Sequence, residues 1–167
     1  MIPEGLNGRT TVWDDPIEEY RCGKQQIIPC LDMHDPLDLV IIMIGSNDLK
    51  RRYTVSAQDI ANGAGLILER TLQHSCCFRD EKPKVLFMCP PPLGDISKGI
   101  FKYEFGGGEE KSHQLHTHYE RVAEKYGVPY LNAGAYVHSS ERDGAHLEAD
   151  QHAILGKVVA EKVREIL

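Results

Sequence analysis

The chain has 167 residues and a formal net charge of −6 at pH 7, which suits a single domain with a sizeable hydrophobic core. The acidic balance argues against nucleic acid as a partner, because nucleic-acid-binding proteins usually carry a basic face. The longest apolar run, Leu37 to Gly45, is too short to cross a bilayer, so we expect no membrane partner either.

The cysteines and the N-terminus indicate where the protein resides. Five cysteines, of which Cys76 and Cys77 are adjacent, match neither a disulfide framework nor a zinc site. The first residues show no basic region followed by an apolar one, so no signal peptide is visible. We therefore expect reduced thiols and a cytoplasmic protein. A secreted form whose signal lies upstream of Met1 is the alternative.

The first part of the chain contains many glycine and proline residues, which interrupt helices and strands. Residues 1–36 are predicted to be loop, with a short helix between Pro29 and His34. The aliphatic run 38–45 predicts a strand that is buried on both faces, as in a parallel sheet. It ends in Gly-Ser-Asn-Asp at 45–48, which is typical of a turn.

Two helices and two further strands are predicted before the C-terminal region. Ser56 to Gln73 keeps helical spacing after a capping box that has Asp in the place of Glu. Residues 84–89 predict a buried strand stopped by three prolines, and a long loop follows over 93–108. Residues 109–126 predict a helix ended by a glycine, and 128–132 predict a third strand.

A last helix is predicted over 149–167, with six residues in its buried face: Ile154, Leu155, Val159, Ala160, Val163 and Ile166. The order strand, helix, strand, helix, strand, helix predicts one α/β domain over 1–167, a three-layer sandwich around a parallel sheet. Three strands are few for such a sheet, and the most hydrophobic strand comes first. This suggests that neighbouring strands are missing.

Polar residues that could perform chemistry follow the first and third strands. Asn47 comes after the first strand, and Asp143 and His146 come in the loop after the third. Because ligands bind at the carboxyl ends of parallel strands, these side chains should converge on one rim. A carboxylate can orient an imidazole base, and an Asn amide can donate to an oxyanion. Each motif alone is also typical of an ordinary turn or helix cap.

Other motifs are interpreted as structural. His113, His116 and His118 lie on a helix without completing a metal site, and we expect them to be solvated. The basic run 50–52 is expected to be a solvated edge, with binding of an acidic acyl group as a minor alternative. Gly106–Gly108 lacks the setting of a phosphate loop. Trp13 is expected to pack in the core or in a lid.

Several blocks together resemble the SGNH hydrolases, the GDSL-type esterases and lipases. Residues 45–48 resemble the family's Gly-x-Asn-Asp block, and 143–147 resemble its terminal Asp-x-x-His block. Residues 5–11 resemble the block that holds the oxyanion-hole glycine. With 14–16 and 36–43, the chain looks closest to the arylesterase and acyltransferase branch.

The resemblance implies a flavodoxin-like fold and a small-molecule ester substrate. It makes Asp143 the orienting carboxylate, His146 the general base, and Asn47 and the Gly8 N–H the oxyanion donors. It implies no metal and no organic cofactor. The family's tendency to oligomerise implies a homo-oligomer.

The sequence departs from the family pattern at the nucleophile. No Gly-Asp-Ser occurs, and the first strand of the pattern, where that block belongs, has no counterpart before residue 5. Ser46 occupies a variable position of its own block. We therefore expect little hydrolysis by these 167 residues, and we keep two hypotheses: an esterase whose nucleophile lies upstream, or a non-catalytic relic or binding module. A phosphate binder is a distant third possibility.

Overall fold

A computed structural model describes residues 1–75, 82–97 and 99–167. Its helices and strands run in chain order as α1 (Gly23–His34), β1 (Leu39–Met43), α2 (Ala57–Gln73), β2 (Lys84–Cys89), α3 (Lys102–Phe105), α4 (Glu109–Tyr126), β3 (Tyr130–Asn132) and α5 (Ala149–Ile166). Short 3-10 turns cover Ser46–Leu49, Arg51–Tyr53 and Ala133–Ala135.

The three strands form one parallel sheet in the order β1-β2-β3. In β1 and β2, Leu39 pairs with Lys84 and Met43 with Met88. In β2 and β3, Phe87 pairs with Tyr130. This confirms the predicted parallel α/β sheet and brings the carboxyl ends of all three strands to one edge.

Two apolar cores lie on opposite faces of the sheet. In β2, Val85 and Phe87 pack into the core made with α2 and α4. Leu86 and Met88, which alternate with them, join the core that includes Leu155 of α5. This alternation is what a central strand must show when helices cover both faces, and it confirms the three-layer arrangement.

Helix α2 begins as the sequence predicts. Ser56 accepts a hydrogen bond from the backbone N–H of Asp59, and the Asp59 carboxylate accepts one from the Ser56 N–H. Aspartate therefore serves in the capping box as glutamate would. Helix α4 ends, also as predicted, at Gly127 in the left-handed conformation.

The N-terminal half differs from the prediction in one element. Instead of a short helix after Pro29, α1 spans twelve residues and contains Pro29 in its interior. Its first residue, Gly23, donates its N–H to the Thr10 carbonyl, and its contacts with α2 stabilise it in place of a side-chain cap. These are tertiary interactions, so local glycine and proline signals could not reveal them.

The predicted burial of β1 and α5 is wrong in part. Ile41 is 39% exposed and Met43 45% exposed, because β1 lies at an edge of the sheet. In α5, Ile154 is 41% exposed and Ala160 is exposed, whereas Leu155 is buried. Both elements therefore present apolar side chains outward as well as to the core.

No helix in the described part of the chain is long and apolar enough to cross a membrane. Cys22, Cys30 and Cys89 are free thiols, as expected for them from the sequence. Cys76 and Cys77 lie outside the described residues.

Candidate active site

Asp143 and His146 are joined within one tight turn between β3 and α5. His146 Nδ1 lies 2.9 Å from Asp143 Oδ2, and Asp143 Oδ1 accepts the backbone N–H groups of Ala145 (2.8 Å) and His146 (2.9 Å). Gly144, between them, has φ of 72°, a conformation that glycine adopts without strain. The carboxylate thus fixes both the turn and the imidazole.

The electrostatics of this pair favour an ionised carboxylate beside an accessible imidazole. Partial burial opposes ionisation of Asp143, but the hydrogen bonds from His146 and Ala145 outweigh it and lower the pKa of Asp143. With Nδ1 donating to the carboxylate, the imidazole keeps its Nε2 lone pair free. The His146 side chain is 65% exposed, and no serine hydroxyl in the described ranges is hydrogen bonded to its ring.

The loop that carries the pair is held by the segment that follows β2. The Gly94 N–H donates to the Gly144 carbonyl at 2.8 Å, and the Ser139 hydroxyl donates to the Pro92 carbonyl at 2.7 Å. The Ser140 N–H closes the loop on the His146 carbonyl at 2.7 Å. These bonds attach the Asp143–His146 turn to the carboxyl end of the central strand.

Aromatic side chains connect His146 to the turn after β1. The Phe101 and His146 ring centroids are 5.4 Å apart, and Phe101 meets Phe105 edge-on at 5.8 Å. The ammonium group of Lys50 lies 5.9 Å from the Phe105 ring centroid. A series of side-chain contacts therefore leads from His146 to Lys50, which lies three residues after Asn47 in the sequence.

Asn47 lies in the 3-10 turn directly after β1. Its side-chain amide donates to the Arg9 carbonyl at 3.1 Å. Gly8, the residue before Arg9, is buried and has φ of 78°. The structure thus brings together two segments that the sequence separates, the Gly8 loop and the Asn47 turn.

Asp48 joins these two segments, a role that sequence reasoning missed. Its carboxylate is buried and accepts the Thr11 N–H at 3.0 Å and the Thr11 hydroxyl at 2.5 Å. Burial raises the pKa of Asp48 to about 6 even though the bonds from Thr11 oppose this. The only indication of this contact in the sequence was that Asp48 and Thr11 both belong to blocks that resemble those of the SGNH hydrolases.

Substituting Asp48 with Asn should change how stability depends on pH. The carboxyl group has a pKa of about 6 when folded, against an ordinary pKa of 3.8, so between these pH values the folded state binds more protons than the unfolded state. The contribution of the Asp48 carboxyl to the free energy of unfolding is therefore fully present below about pH 4. It falls by up to about 3 kcal/mol as the pH rises through about 6. Urea unfolding at several pH values should show this loss in the unsubstituted chain relative to Asp48→Asn. Parallel pH profiles would contradict the assignment.

The prediction that the basic run 50–52 is a solvated edge is wrong for Lys50 and Arg52, whereas Arg51 is exposed as predicted. Lys50 is only 4% exposed and pairs with Glu104 at 3.0 Å. Arg52 contacts both Glu104 and Asp15. Lys50 is buried and Arg52 half-buried because α3 and the Asp15 loop fold over them, so these two side chains position those segments.

The remaining motifs largely match their interpretation as structural. His113 and His116 are exposed on α4 and His118 is half-buried. None of the three belongs to a group of metal-ligating side chains within the described ranges. Trp13 is half-buried in the loop where its carbonyl accepts the Thr10 hydroxyl.

Comparison with known proteins shows which families and structures the chain is similar to. Residues 2–154 match the sequence profile of the GDSL-like lipase/acylhydrolase family. The inhibitor-bound M. smegmatis aryl esterase is 37% identical with a TM-score of 0.95, over 99% of this chain and 78% of that one. Est24, a carbohydrate acetylesterase from Sinorhizobium meliloti, is 38% identical with a TM-score of 0.95 over the same shares. No curated protein matched the chain in a sequence search.

Proposed function

The chain belongs to the GDSL-like lipase/acylhydrolase family, the SGNH hydrolases, and from this premise we propose that it hydrolyses carboxylic esters through an acyl-enzyme. The observation that carries the proposal is the 2.9 Å contact between His146 Nδ1 and Asp143 Oδ2, which leaves Nε2 open. Such an imidazole is a general base in the tautomer that can accept a proton from a hydroxyl group.

In this proposal His146 moves one proton in each half of the reaction. Nε2 takes the proton of a serine hydroxyl as its oxygen bonds to the ester carbon. The same nitrogen returns the proton to the alcohol oxygen when the carbon–oxygen bond breaks. Water then repeats the sequence on the acyl-serine and releases the acid. Asp143 stabilises the imidazolium that forms at each step.

Asn47 and Gly8 are proposed as the donors to the oxyanion. The Asn47 amide has two hydrogens, and the bond to the Arg9 carbonyl uses one of them. The Gly8 N–H has no hydrogen-bond acceptor in the described part of the chain. Two free N–H donors on segments joined by Asp48 suit the charge that develops on a tetrahedral carbonyl oxygen.

The proposed mechanism needs a nucleophilic serine, which the experiment has to supply. The 167-residue chain should show little hydrolysis of p-nitrophenyl acetate, because the ring of His146 bonds no serine hydroxyl among the described residues. An N-terminal extension that carries a Gly-Asp-Ser block ahead of Gly8 should give turnover. Rapid hydrolysis by the chain alone that survives Ser46→Ala and requires His146 would show that another residue is the nucleophile.

Short acyl groups on aryl or sugar alcohols are the substrates we propose. The support is the level of identity with an aryl esterase and a carbohydrate acetylesterase, 37% and 38%. We also propose a cytoplasmic location, supported by the free thiols of Cys22, Cys30 and Cys89.

We propose that the 167 residues self-associate through the outer edge of β1. That edge pairs with no other strand of the described ranges, and Ile41 and Met43 are exposed on it. An unpaired apolar edge is a template for strand pairing with a second copy. Sedimentation at micromolar concentration should therefore detect dimers or larger species, and Ile41→Lys should reduce them. A monomer with slow amide exchange along 39–43 would contradict this.

A further inference from the structure

A cluster of two carboxylates and an imidazole lies at the end of the sheet opposite the Asp143–His146 turn. Asp32 and Asp35 lie at the end of α1, and His74 caps the end of α2. Both segments lead into the amino ends of strands, whereas the Asp143–His146 turn follows the carboxyl end of β3. The cluster is thus separate from the chemistry proposed above.

The spacing of the cluster fits a single metal ion. His74 Nε2 lies 2.8 Å from Asp35 Oδ2 and 3.9 Å from Asp32 Oδ1, and one ligand atom from each residue can be chosen so that all lie within 4.8 Å of one another. Donor atoms about 2.1 Å from one zinc ion stand roughly 3 to 4 Å apart. A small movement would therefore bring all three atoms to bonding distance.

An unsatisfied buried atom points independently to a ligand. The Asp35 side chain is 6% exposed, as is that of His74, yet Asp35 Oδ1 is buried without a hydrogen-bond partner in the described part of the chain. Leaving one oxygen of a buried carboxylate without a hydrogen-bond donor is unfavourable. A cation bound by Asp35 Oδ1, or by both oxygens of this carboxylate, would remove that cost.

The surrounding charges favour a cation of charge +2. Two carboxylates balance a divalent ion, and the imidazole contributes a neutral nitrogen. Helices α1 and α2 both end here, and helix C-termini carry partial negative charge. At α2 the Lys82 ammonium offsets part of that charge by donating to the Leu72 carbonyl at 3.0 Å. We propose that Asp32, Asp35 and His74 bind Zn²⁺ with water as a further ligand, and that the ion ties the end of α1 to the end of α2.

Zinc titration of the metal-stripped 167-residue chain tests this proposal. Isothermal calorimetry should show one equivalent bound, and Zn²⁺ should raise the unfolding temperature. Asp32→Asn is the decisive variant, because the Asp32 side chain is 63% exposed and its loss should not unfold the chain. Its affinity should fall at least about tenfold, since even outer partners of metal ligands contribute about 10- to 100-fold.

Controls separate this site from other ligands in the chain. All five cysteines remain in Asp32→Asn, so zinc bound by thiols would persist there. His152→Gln, at an exposed position of α5, should bind zinc as the unsubstituted chain does. Nitrogen NMR should show the His74 ring shifting on addition of one equivalent of Zn²⁺. Equal affinity of the chain and Asp32→Asn, or an unchanged His74 ring, would overturn the proposal.

Discussion

His146→Ala should lower kcat by at least about 10⁴-fold in a chain supplied with the Gly-Asp-Ser segment, because loss of the base in a serine hydrolase leaves only binding and oxyanion stabilisation. KM should change little, since the side chain is 65% exposed and its role is proton transfer. Initial rates with p-nitrophenyl acetate measure both constants.

Asp143→Asn tests the orienting bond separately. An amide nitrogen at this position would donate to Nδ1 and leave the proton on Nε2, the wrong tautomer for a base, so we expect a loss of about 10⁴-fold in kcat. The histidine control is His152→Ala, at an exposed position of α5, which should keep full activity. If Asp143→Asn were as active as the parent chain, Asp143 would be only a turn residue.

Several features that the sequence predicted depend on residues close together in the chain. The capping box of α2 joins residues three apart, and the glycine end of α4 is equally local. The Asp143–His146 contact also spans only three residues. The residues that stabilise each of these features are close together in the sequence, so the features can be recognised without knowing the fold.

The parts that the sequence did not predict depend on distant contacts. Lys50 appeared to be a solvated cation, and its burial follows from Glu104, more than fifty residues further along. The Asp48–Thr11 bonds span 37 residues. The edge position of β1 follows from strand order, which hydrophobicity alone does not determine.

Gly45→Ala should produce the largest loss of stability of any single substitution proposed for this chain. Gly45 has φ of 121°, which alanine reaches only with strain of about 1–3 kcal/mol. A Cβ atom there would also overlap the Tyr119 hydroxyl and lie 3.0 Å from Ile60 Cγ2. Overpacking a core adds typically about 1–3 kcal/mol. Urea unfolding should therefore show a loss of roughly 2–6 kcal/mol, the sum of these two ranges.

Two further variants distinguish the causes of this loss. Gly156→Ala is the matched control, because Gly156 lies within α5 with open space around it, and it should be stabilising by about 0.5–1 kcal/mol. Tyr119 donates its hydroxyl to the Ile44 carbonyl at 2.6 Å, so Tyr119→Phe is itself destabilising. In that background, however, Gly45→Ala should cost less, because the overlapping oxygen is gone. An unchanged cost would mean that the Tyr119 hydroxyl contributes nothing, and that backbone strain at Gly45 together with the contact with Ile60 accounts for the effect.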